Sequence, residues 1–145
     1  MKYRKWKNVE KEISALGFGA MRLPVLDGDY SRIDEAEATR MVRHAIDSGV
    51  NYIDTAYPYH GEKGEIFVGK VLKDGYREKV FLTTKLPVGR LEEKEDMERI
   101  FNEQMEKLDV DYLDFYLLHA VNRKSWENCK KLGVLEYLVS LKEQG

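Results

Sequence analysis

The chain has 145 residues, 43% of them hydrophobic and 11% aromatic, enough to bury one sizeable core and so to form one domain or part of one. Its 24 Lys and Arg against 26 Asp and Glu leave a formal charge of -2 with the signs mixed along the chain, which gives no sign of a nucleic-acid surface. No apolar run nears the roughly 18 residues of a membrane helix, the charged start MKYRKWKN lacks the apolar stretch of a signal peptide, and the single cysteine, Cys129, excludes an internal disulfide or a four-cysteine metal site.

In chain order, YRKWK and KEISAL flank a polar turn at Asn8 and predict a short amino-terminal hairpin. ALGFGAM, from Ala15 to Met21, reads as the first long strand. A helix follows: Asp34 and Glu37 resemble a capping box, Met41, Val42, Ala45 and Ile46 form an apolar stripe, and Gly49 suits the carboxyl-terminal cap. NYIDTA, after Val50, is the second strand, and a second helix is expected from about Glu65 towards Asp74, with Ile66, Phe67 and Val71 inward and Gly75 stopping it. VFLTTKL, from Val80, is the third strand. Met97, Ile100, Phe101, Met105 and Leu108 then recur at helical spacing, with acidic residues in the first turn where the helix dipole favours them. LDFYLLHA, from Leu113, is the fourth strand, followed by helical pieces at Trp126 to Lys131 and Leu135 to Leu141 that break near Gly133.

The strand starts at Ala15, Val50, Val80 and Leu113 lie 35, 30 and 33 residues apart, a spacing that suits βαβ units with parallel strands covered on both faces. Four such units fit an open doubly wound sheet or half of an eight-stranded barrel. A complete barrel takes about 250 residues, so this length supplies only a first half, with the first and fourth strands as open edges.

The ionisable groups fall at the strand ends: Asp54 after the second, Lys85 after the third, His119 after the fourth, with Tyr59 five positions beyond Asp54. On a barrel all four converge on the carboxyl rim, where polar residues usually serve catalysis. An Asp beside a buried Lys keeps it charged, and that charge makes a nearby Tyr hydroxyl a usable proton donor. Each residue taken singly has a plainer role. Asp54 also suits a loop cap, Lys85 a solvated strand end and His119 a core histidine, and Tyr59 is one of 9 tyrosines. Their coincidence at one rim is what points to a site.

The segments GFGAMRLP, YIDTAYPYHGEKGE, VFLTTKL and LDFYLLHA, in this order and spacing, resemble the aldo-keto reductases, above all bacterial members that often add a ferredoxin-like tail. The resemblance implies an α/β fold, a (β/α)8 barrel that binds NADPH without a glycine-rich Rossmann turn and reduces aldehydes and ketones. It also implies a tetrad in which Asp54 holds Lys85, Lys85 lowers the pKa of Tyr59, Tyr59 protonates the carbonyl oxygen and His119 orients it. Gly19, Ala20, Met21 and Asp54 are expected at the cofactor. Tyr57 and His60 are candidate pocket residues with surface positions as the alternative, and Glu65 is expected to open and cap its helix.

By the same resemblance, most residues that clamp the nicotinamide amide, pyrophosphate and 2′-phosphate belong to the second half of the barrel, beyond Gly145. The isolated chain is therefore expected to show little or no activity. Two other readings stay open: a homodimer that pairs its open sheet edges, and a binding module that keeps the fold without turnover. The expected setting is the cytoplasm, with a small carbonyl compound as partner and neither membrane nor nucleic acid.

Overall fold

The computed structural model describes residues 1–7 and 9–144. A two-stranded antiparallel hairpin opens the chain, β1 (Tyr3–Arg4) against β2 (Ile13–Ser14); the turn expected at Asn8 lies outside the described residues. Four parallel strands follow: β3 (Phe18–Gly19), β4 (Tyr52–Asp54), β5 (Phe81–Leu86) and β6 (Phe115–Leu118), hydrogen-bonded in the order β3-β4-β5-β6. Sequential order has no topological switch point, which a doubly wound sheet requires and a (β/α)8 barrel lacks. The four units are barrel-like, and the open doubly wound alternative is set aside.

The elements sit where the periodicity puts them, with shorter strands. The first expected strand is reduced to Phe18–Gly19, because Ala20–Arg22 winds into a 3-10 turn that carries Ala20 into the core. Helix α1 (Glu35–Asp47) starts at Asp34, whose carboxylate accepts the Glu37 N–H at 3.1 Å. The second arm of the expected capping box is missing, since the Glu37 side chain pairs with Arg40 instead. Ala38, Val42 and Ile46 form the buried stripe, while Met41 lies at its exposed edge. Helix α2 (Gly64–Val71) is shorter than expected, and Ile66, expected inward, is exposed.

Helix α3 (Glu95–Leu108) buries Met97, Ile100, Gln104 and Leu108, a face with the helical repeat. Asp109, in the left-handed conformation (φ 52°), ends it. Helix α4 (Arg123–Leu132) opens with a reciprocal Asn122–Ser125 capping box and ends at Gly133, whose φ of 74° turns the chain into α5 (Val134–Gln144).

Two apolar clusters fill the space between sheet and helices. One gathers Val42, Ile53, Phe67, Val68, Leu82 and Leu108; the other gathers Leu86, Leu91, Met97, Ile100, Cys129 and Val134. On the inner face of the sheet, Tyr52 and Phe81 each lie within 6 Å of Phe115 between ring centroids, and Trp6 from the hairpin side meets Phe115 edge-on at 5.5 Å. These rings form a floor at the amino ends of the strands. Side chains two residues further on, such as Asp54 and Thr83, stand one layer higher.

The helix layer is tightest where α2 crosses the end of α3. A Cβ at Gly69 would lie 2.4 Å from the Leu108 carbonyl oxygen, so only glycine lets the two backbones meet. Gly69→Ala gains about 1 kcal/mol of helix propensity but forces the helices apart, at a cost of about 1–3 kcal/mol from overpacking. A net loss of stability in urea unfolding is expected, whereas Gly89→Ala, with nothing within 4 Å of the new methyl group, leaves the midpoint in place. Equal midpoints for the two variants would contradict the close crossing.

Candidate active site

The carboxyl ends of β4, β5 and β6 bring Asp54, Lys85 and His119 together, and the turn after β4 adds Tyr59. Lys85 is the hub. Its Nζ donates to Asp54 Oδ1 at 2.6 Å, to the Thr55 carbonyl at 2.7 Å and to the Tyr59 hydroxyl oxygen at 3.2 Å. An ammonium has three hydrogens, and here each has an acceptor. With only 13% of its side chain exposed, Lys85 would pay heavily for an unpartnered charge, and Asp54 removes that cost.

Because the Tyr59 oxygen accepts from Lys85, its own proton is free to point towards the open rim. The His119 ring meets the Tyr59 ring edge-on, 5.7 Å between centroids. Partial burial, and after it the charge of Lys85, hold the His119 pKa below its ordinary value, with Asp54 opposing. The imidazole is therefore neutral at pH 7, and no second cation competes with Lys85. The cluster can hold a positive charge, release a proton from Tyr59 and offer a neutral imidazole N–H to an incoming oxygen atom.

The expected cofactor residues divide. Gly19 and Met21 are exposed at the rim, and a Cβ at Gly19 would meet nothing within 4 Å, whereas Ala20 is wholly buried. His60, at φ 53°, is fully buried: its ring stacks on Tyr30 at 4.5 Å, Nδ1 lies 2.8 Å from the Tyr30 carbonyl, and Nε2 accepts the Leu23 N–H at 3.3 Å. Those partners assign the proton to Nδ1. His60 thus ties the loop after β3 to the loop after β4.

Tyr57 turns towards α3, donates to Glu103 at 2.6 Å and lies under Lys107, 3.9 Å from the ring centroid. Burial, with the Glu103 bond, pushes its pKa up to about 12. Glu65 also departs from expectation. It does not cap α2; it is wholly buried, and Oε1 accepts from Thr84 Oγ1 and Gln104 Nε2, both at 2.6 Å. Burial raises its pKa, against those two hydrogen bonds. Sequence reasoning missed Gln104, although a polar residue on the buried α3 face, one turn from both Ile100 and Leu108, is the signal that could have found it.

Comparison with known proteins gives the geometry a lineage. The model of the aldo/keto reductase family matches residues 15–145. The chain belongs to the aldo/keto reductase family. Among its relatives, a probable aldo-keto reductase of Glycine max is 32% identical over 120 residues, which span 77% of this chain and 34% of the relative. An aldo-keto reductase from Bacillus halodurans in its holo form superposes with a TM-score of 0.69 at 30% identity, over 92% of this chain and 48% of that one. An aldo-keto reductase from Klebsiella pneumoniae in complex with NADPH gives 0.65 at 28% identity, over 83% and 42%. The chain thus spans about half, or less, of the length of these aldo/keto reductases. Among the described residues, no helix is long and apolar enough to cross a membrane.

The lowered His119 value has a thermodynamic consequence. The folded protein binds that proton less tightly than the unfolded chain, so stability is intact above pH 6.5, the ordinary value, and falls as pH drops through the folded-state value. His119→Gln removes this loss. Urea melts at pH 7.5 and pH 5 are expected to differ less for the variant than for the parent, and an equal difference would contradict the assignment.

Proposed function

We propose that this chain carries the acid-base machinery of an NADPH-dependent carbonyl reduction, performed by a cytoplasmic barrel that these four units help to build. The observation that carries the reading is the Lys85 ammonium, which satisfies Asp54 and the Thr55 carbonyl and at the same time holds the Tyr59 hydroxyl. Family membership and the NADPH in the Klebsiella relative support it. The near-neutral, mixed charge supports a small-molecule partner over a nucleic acid.

The residues present fit the reacting end of such a cofactor. Gly19 has open space above it and Met21 is exposed beside it; with Asp54 they would hold the nicotinamide-ribose end, and Ala20 packs beneath. When bound, the reduced nicotinamide supplies hydride. His119 offers its neutral N–H to the carbonyl oxygen and fixes its direction. As the carbonyl carbon gains hydride, its oxygen becomes basic and takes the Tyr59 proton, giving the alcohol. The phenolate left on Tyr59 is stabilised by the Lys85 ammonium, already aimed at that oxygen, and Asp54 keeps the ammonium in place. Solvent then returns a proton to Tyr59.

A second reading is favoured by one observation: Leu117 is an exposed apolar side chain on β6, an edge strand without a further partner among the described residues, and α5 exposes Leu135 and Val139. In that reading a second copy pairs along the β6 edge. Sedimentation as a monomer at high concentration removes it.

In a barrel that contains this chain, Tyr59→Phe is expected to lower kcat for aldehyde reduction about 10²–10⁴-fold, with NADPH affinity within about twofold, because only the proton donor is lost. Turnover retained within tenfold, or a parallel loss of nucleotide binding, would count against Tyr59 as the acid.

A further inference from the structure

A second polar cluster lies on the other face of β5, between the sheet and helices α2 and α3, and the proton transfer at the rim leaves it unused. Besides Glu65 and Thr84 it contains Gln104 and Tyr116, whose hydroxyl donates to Gln104 Oε1 at 2.6 Å. That bond fixes the orientation of the Gln104 amide, with oxygen towards Tyr116 and nitrogen towards the Glu65 carboxylate. The same nitrogen donates its second hydrogen between the Thr84 hydroxyl oxygen and the Lys85 backbone carbonyl, each at 3.1 Å.

The position of that carbonyl gives the contact its meaning. Along β5 the backbone carbonyls alternate sides. Those of Leu82 and Leu86 face β6, accepting from the Asp114 and His119 N–H groups, and that of Thr83 faces β4, accepting from Thr55 N–H. Lys85 has the parity of Thr83, but the ladder to β4 ends at the pair Asp54–Thr83. Among the described residues, no strand is left to take the Lys85 carbonyl on that side. Gln104 takes it instead, at the one residue of β5 whose side chain carries the ammonium.

We propose that Gln104, held by Glu65 and Tyr116, is a positioning residue for Lys85: it replaces the missing ladder bond and sets where the ammonium stands among Asp54, Thr55 and Tyr59. Its catalytic meaning rests on the reductase reading above, whereas its structural content does not. Glu65 acts at one further remove. Its Oε1 takes one Gln104 hydrogen and the Thr84 hydroxyl proton together, and the buried carboxyl keeps the amide from turning its oxygen towards Lys85.

The test uses the full ¹⁵N-labelled chain without nucleotide and reads the proton exchange of lysine ammonium groups with water by NMR. The Lys85 signal is identified by its loss in Lys85→Arg. In the parent, an ammonium with three acceptors gives a slowly exchanging signal. In Gln104→Met, which keeps length and removes the amide, the exchange rate of that signal is expected to rise about fivefold, the scale of one net hydrogen bond. Glu65→Gln retains an acceptor oxygen and is expected to stay within about twofold of the parent. Tyr116→Phe removes a single hydroxyl, moves the signal in the same direction as Gln104→Met, and decides the matter where the latter does not fold.

An unchanged Lys85 signal in folded Gln104→Met, or in Tyr116→Phe where Gln104→Met unfolds, overturns the proposal. So does the absence of a slowly exchanging ammonium in the parent. Since neither nucleotide nor turnover enters the measurement, a failed reductase assay and a failed positioning role give different results.

Discussion

A lysine ammonium largely withdrawn from water at a strand end is costly unless its hydrogens are taken, and Lys85 meets that condition with one carboxylate, one carbonyl and one phenol. The constraint orders what surrounds it. Asp54 must end β4 beside β5, the chain must turn so that the Thr55 carbonyl faces inward, and Tyr59 must return its hydroxyl within reach. Parallel pairing of Asp54 with Thr83 supplies the register, and Lys85 stands two residues beyond Thr83 on the same face. The aromatic floor of Tyr52, Phe81 and Phe115 lies below, so the charged layer sits on apolar support.

Behind the sheet, a second layer of polar groups is satisfied largely by its own members, with Glu65 Oε2 buried and without a partner among the described residues. Glu65, Thr84, Gln104 and Tyr116 come from α2, β5, α3 and β6, so the cluster ties two helices to two strands. A buried network of this kind is costly unless nearly complete and, when complete, specifies one arrangement of its elements. The apolar clusters supply the bulk of the burial, and the polar cluster selects how α2 and α3 lie on β5. The Gly69 crossing belongs to the same arrangement, because Gln104 and Leu108 are one turn apart on the buried face of α3.

Much of this was legible in the sequence, and the failures have physical causes. Apolar runs and their spacing located all four parallel strands, and the polar residues at their ends marked the cluster that the structure assembles. Hydropathy favours burying Ile66 and leaves Glu65 the plainer role of a helix cap, and the fold departs from both. In the fold the direction of α2 is set by the contact of Gly69 with Leu108, which turns Glu65 towards Thr84 and leaves Ile66 on the exposed stripe with Lys70. His60 and Tyr57 flank Tyr59 in sequence, but the positive φ at His60 sends its ring into the core and Tyr57 faces α3. Adjacency along a turn says little about adjacency in space. Gln104 stayed hidden because periodicity identifies a buried face without naming the neighbour that waits there.

The central claim is that Asp54 and Lys85 depend on each other, and a double-mutant cycle tests it most directly. Asp54→Asn, Lys85→Met and the double variant are each unfolded in urea at pH 7, alongside the parent. Either single change leaves one charge without its counter-ion while the double change removes both charges, so the account predicts a coupling of roughly 1–3 kcal/mol, with the double variant more stable than the sum of the singles implies. Additive effects, with coupling below about 0.5 kcal/mol, would mean that the ion pair does not organise the site.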